Sequence, residues 1–191
     1  MDYNEVNNKL NYFFFERNLD QRSFYLRIEE SDLPELSNLL GCLTADFKQV
    51  IGNVVLEAFE WRGTNPYSPF IRLLREWEES GAQEKPPFTG LLYSTVLAAE
   101  DMRSDAEFSS TNFYQRYADI LEIDQGPRFD LLSTKGKELG RFWNRLNSWL
   151  LGYDFRYGRP TAQMVHKGKY VSYALSQALL REEDRRSFSS L

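Results

Sequence analysis

Residues 133–152, STKGKELGRFWNRLNSWLLG, set Leu139, Phe142, Trp143, Leu146, Trp149 and Leu150 at helical spacing. On a helix of 3.6 residues per turn these six side chains form one apolar stripe, with Arg141 and Arg145 side by side on another face. The stretch therefore reads as an amphipathic helix that must bury its stripe. The same period recurs along most of the chain and decides the fold class.

Upstream, TADFKQVIGNVVLEAFEW (44–61) places Phe47, Val50, Ile51, Val54, Val55, Ala58 and Phe59 on a helical face, with Thr44 as its expected cap. Gly52 either weakens this helix modestly or lets a neighbour come close. SDLPELSNLLG (31–41) reads as a short helix with Asp32 as cap, Pro34 in the first turn, Glu35 three residues after the cap and Gly41 at its end. Ser68 is expected to cap a helix opened by Pro69 and stopped at Gly81. Further helices are predicted over 88–102 and 110–122, and NEVNNKLNYFFFERN (4–18) puts Leu10, Phe13 and Phe14 on one side. A last helix is expected from Lys169 to Arg186, with Val171, Ala174, Leu175, Ala178 and Leu179 on its face. SFYLRI (23–28) is the best strand candidate, its mate being distant, around Met164 to Tyr170. The chain is thus predicted to be mainly α: an irregular bundle of seven to eight helices with at most one small β element.

A chain of 191 residues with 14 Phe, 11 Tyr and 4 Trp can fill a core without metal or disulfides. The single cysteine, Cys42, has no partner for a bridge, no secretory leader pattern opens the chain, and a reducing cytoplasm is expected. No apolar run approaches the roughly 18 to 20 residues that span a bilayer. The closing EEDRRSFSSL fits a frayed helix end and a continuation into a longer chain equally well.

The net charge of −5 conceals an asymmetry: residues 1–127 hold 11 basic and 22 acidic residues, and residues 128–191 hold 12 and 6. The sign changes at DQGP (124–127), the expected boundary within a single domain between an acidic part (1–125) and a basic part (128–191). Such a split implies that the basic part faces a polyanion, an acidic partner or the acidic part of its own chain.

Catalytic motifs are missing. His166 is the sole histidine and lies among cations, and one Cys with one His cannot build a zinc site. The acids of AEDMRSDAE (99–107), chiefly Asp101 and Asp105, form the densest carboxylate cluster not immediately neutralised, but lack the pattern and glycine of a calcium loop. STKGKELG and HKGKY carry Gly-Lys pairs without the flanking residues of a phosphate loop. No cofactor and no metal is expected. What remains is a basic, tyrosine-interleaved segment: Arg156, Arg159, His166, Lys167 and Lys169, joined by Arg141 and Arg145, a candidate contact surface for nucleic acid or phosphate.

FWNRLNSWL (142–150), GRPTAQ (158–163) and YVSYALSQALLREEDR (170–185) resemble helical N-terminal regions of large bacterial proteins of antiphage defence. The resemblance implies a bacterial cytoplasmic protein acting inside a larger assembly, with no active-site residue carried over. The expected function is a non-enzymatic protein-interaction or scaffold module; the alternative is a nucleic-acid-binding module using the basic part.

Overall fold

A computed structural model describes residues 1–16, 32–102, 105 and 109–152. Eight α-helices lie among them: α1 (Tyr3–Asn11), α2 (Leu33–Leu40), α3 (Phe47–Ala58), α4 (Ser68–Glu79), α5 (Thr89–Asp101), α6 (Ser110–Ile120), α7 (Pro127–Thr134) and α8 (Leu139–Gly152). No strand occurs among the described residues, so the mainly α multi-helix bundle read from the sequence is the fold. The strand candidate at 23–28, its mate and the helix expected over 169–186 lie outside the described residues.

Helix α5 organises the bundle. Every residue from Thr89 to Ala99 is buried, so this helix is covered on all sides, by α1, α3, α6 and α8. A helix end sunk this deep still needs partners for its first N–H groups. They come from α1: Asn7 Oδ1 accepts from Gly90 N at 3.0 Å, and Tyr3 Oη accepts from Leu91 N at 3.3 Å. In return Asn7 Nδ2 and Asn11 Nδ2 each donate to Pro86 O at 3.1 Å, and Tyr3 Oη donates to Pro87 O at 3.1 Å. One helix thus caps another from a distance of some 83 residues along the chain.

After α1 the backbone widens into a π-helical turn, Tyr12–Glu16. Within this turn Phe13, Phe14 and Phe15 are all buried. Phe14 meets Tyr93 of α5 at 5.5 Å between ring centroids, and Phe15 meets Trp149 of α8 edge-on at 5.1 Å.

Two glycines set helix spacing. A Cβ on Gly52 would lie 1.8 Å from the backbone oxygen of Ile120, so α3 and α6 touch backbone to backbone, the close approach that Gly52 allowed from sequence. A Cβ on Gly136 would lie 1.4 Å from the Tyr114 hydroxyl.

Three sequence readings are corrected. Thr44 does not cap α3; it begins a 3-10 turn, Thr44–Asp46, and Asp46 stands at the cap position of α3. Ser68 is the first residue of α4, its hydroxyl donating to Asn65 O at 2.7 Å, because Asn65 has already folded the chain back by accepting from Tyr67 N at 3.0 Å. PRFDLLST, read as part of no helix, forms α7 behind Pro127. DQGP is the turn that leads into it, and one hydrophobic core includes residues from both sides of this turn.

Burial pushes the phenols of Tyr3, Tyr93 and Tyr117 well above the usual tyrosine range, even though Leu91 N–H and Ser94 Oγ pull against it at Tyr3 and Tyr117. Their pKa values are higher folded than unfolded, so the unfolded chain releases protons first and stability falls as pH rises. Urea midpoints are expected to hold up to about pH 10, the ordinary tyrosine value, and to drop steadily above it. A midpoint unchanged a full unit above that value would contradict the burial of these three hydroxyls.

Candidate functional site

Of the basic residues singled out from sequence, Arg141 and Arg145 lie among the described residues, whereas Arg156, Arg159, His166, Lys167 and Lys169 fall outside them. Both arginines of α8 are exposed, and both are paired within the chain. Arg141 donates to Glu138 at 2.9 Å, one turn earlier. Arg145 forms an ion pair with Glu78 of α4, joining the basic part to the acidic part.

Asp101 and Asp105, the chief acids of the carboxylate cluster, are neutralised from elsewhere in the chain. Lys48 of α3 pairs with Asp101, and Arg116 of α6 grips Asp105 with two nitrogens, Nε lying 3.2 Å from Oδ2. The hydrogen bond from Arg116 and its charge hold the Asp105 carboxyl below the ordinary range. Among the described residues no group of three or more His, Cys, Asp or Glu is placed to hold a metal ion. Cys42 is half-buried, and desolvation together with the nearby Asp46 raises its thiol pKa, which disfavours the nucleophilic thiolate at neutral pH.

A different set of cations gathers around a concavity of about 760 Å³. Its floor is local in origin. Phe59 caps the C-terminal end of α3 and packs edge-on against Tyr67 and Phe70 of the core at 5.3 and 5.5 Å. Trp61 leans edge-on against Phe59 at 5.5 Å, which anchors the indole to the core. Glu60 N donates to Pro66 O at 3.2 Å, closing the loop beneath.

Three elements bring arginines to the rim: Arg62 from this loop, Arg72 from α4 and Arg128 from the first turn of α7. Arg128 lies over the Trp61 ring, its guanidinium carbon 5.2 Å from the centroid. None of the three pairs with a carboxylate among the described residues, and Glu60 is the one acid in the described lining. The Trp61 indole N–H is buried with no acceptor among the described residues. The first turns of α4 and α7, with Pro69 and Pro127, lie here, so the positive ends of two helix dipoles add to the charge.

Sequence reasoning passed over these residues because they lie far apart along the chain, outside the basic segment at 141–169. The available signal was EWRGTN (60–65), a Trp-Arg pair held in a turn between two apolar helices. Arrangements of this kind bind oxyanions: the guanidinium fork presents parallel donors, and stacking on an indole holds it in place.

Among the described residues no single helix is long and apolar enough to cross a membrane. Helix α2 with residues 44–58 reaches the length and composition, but that pair is bent by 85° and α3 packs its apolar face into the core. Comparison with known protein families, with curated proteins and with solved structures gives no match to this chain.

Proposed function

We propose that this chain is a non-enzymatic protein-interaction or scaffold module of a larger cytoplasmic assembly. The observation that supports the reading is the Trp61 concavity, where Arg62, Arg72 and Arg128 surround an anchored indole. Tryptophan and arginine are the side chains most enriched at the energetic centres of protein interfaces. The cations of α8, by contrast, are already engaged by Glu78 and Glu138, which argues for chain-internal use of Arg141 and Arg145 over a nucleic-acid face. The resemblance in the last third of the chain extends the proposal to a bacterial assembly of antiphage defence.

Co-purification from the native host tests it. The tagged chain is expected to bring down a partner protein at fixed stoichiometry, retained after nuclease treatment and reduced at least about tenfold by the triple variant R62E/R72E/R128E. These arginines are exposed, so the variant should melt like the parent. Recovery of the chain alone, or with nucleic acid that nuclease removes, would overturn the proposal.

A further inference from the structure

The concavity also says what kind of group it takes. Resting on the interaction-module reading, we propose that it binds an acidic peptide segment, carboxylate side chains bridging Arg72 and Arg128 while an apolar neighbour packs on Leu131 and the Trp61 edge.

Charge sets the class first. Three guanidinium groups against the single Glu60 leave the site cationic on a chain whose net charge is −5. A local positive patch inside a negative field favours a short anion over a long one, since every phosphate of an extended nucleic acid beyond the patch meets repulsion. Size argues in the same direction: about 760 Å³ exceeds what one phosphate group fills and matches a few side chains. Chemistry decides the rest. Phe59, Trp61 and Leu131 line the same hollow, and the aliphatic stems of glutamates lie well against such surfaces while their carboxylates reach the rim.

The geometry is also prepared in advance. Arg128 is held over Trp61, so part of the ordering cost of a long side chain is met before a ligand arrives. The contact with the ring leaves the Arg128 N–H groups without a carboxylate partner among the described residues.

The test uses the full chain and a fluorescein-labelled peptide of Asp and Glu residues around a central Leu, followed by anisotropy at low and at physiological salt. The expected result is one-to-one binding that weakens with salt, about tenfold weaker for R72E and for R128E, and unchanged for R141E/R145E. The Asn/Gln counterpart of the peptide should bind at least about tenfold more weakly, since charge-assisted bonds are roughly twice as strong as neutral ones. Labelled single-stranded DNA of matched charge binding equally well through the same arginines would overturn the peptide assignment. So would absence of peptide binding; if the triple variant still loses its partner in co-purification, the interaction module stands and only the acidic segment falls.

Discussion

Gly52→Ala is expected to lower the melting temperature by roughly 4 to 12 °C, the effect of a net loss of about 2 to 3 kcal/mol in a chain of this size. Alanine normally stabilises a helix interior by about 1 kcal/mol relative to glycine, so the sign here is set by packing alone. The added methyl would sit 1.8 Å from the main-chain oxygen of Ile120, the last residue of α6, and a main-chain carbonyl has no rotamer by which to move away. Helix α6 must back off α3, opening gaps along the contact between the two helices. Gly136→Ala makes a useful comparison, because its obstacle is the far end of a side chain, Tyr114, and a smaller loss is expected. Gly63→Ala, with no atom within 4 Å, serves as the control and should change little. A Gly52→Ala protein that melts like the parent would show that α3 and α6 do not meet at this point.

Asn7→Ala is the second large effect, expected to cost about 2 to 4 kcal/mol in a denaturant titration. The substitution removes the acceptor of Gly90 N–H and a donor to Pro86 O in one step, in a place no water reaches. Asn11 and Thr89 still donate to Pro86 O, so the carbonyl stays satisfied and the orphaned N–H carries most of the loss. Tyr3→Phe should cost less alone. The two together should depart from additivity by at least about 0.5 kcal/mol, because both side chains cap the same helix end. Additive losses, or an Asn7→Ala cost below about 0.5 kcal/mol, would contradict the capping of α5 by α1.

The helices were legible where the apolar period was strong. Leu139, Phe142, Trp143, Leu146, Trp149 and Leu150 of α8 are all buried, as their spacing required. Helix α7 was missed because PRFDLLST is short and turns only Leu132 fully inward, so a periodic signal hardly exists. Local chemistry also misled at Ser68, a good capping residue by type, where Asn65 three positions earlier had already made the turn. Gly52 was readable as a choice between weakness and close approach; only the partner helix could decide it.

The candidate site was legible in charge sign and not in place. The reading from sequence followed clusters, and clustering along the chain placed it at 141–169. Arg62, Arg72 and Arg128 are up to 66 positions apart, on three elements, and meet only through folding. Ion pairing is equally non-local. Nothing near Arg145 in sequence announces Glu78, and nothing near Asp105 announces the grip of Arg116 from the next helix.

The capping of α5 by α1 also fixes a timetable. During synthesis at about 5 to 20 residues per second, Gly90 follows Asn7 by roughly 4 to 17 seconds. Through that interval the apolar face of α1 and the three phenylalanines behind it have no α5 to cover them. The segment from α1 to Phe15 therefore stays uncovered until the central helix has left the exit tunnel, and this is the stretch most exposed to mispairing during synthesis.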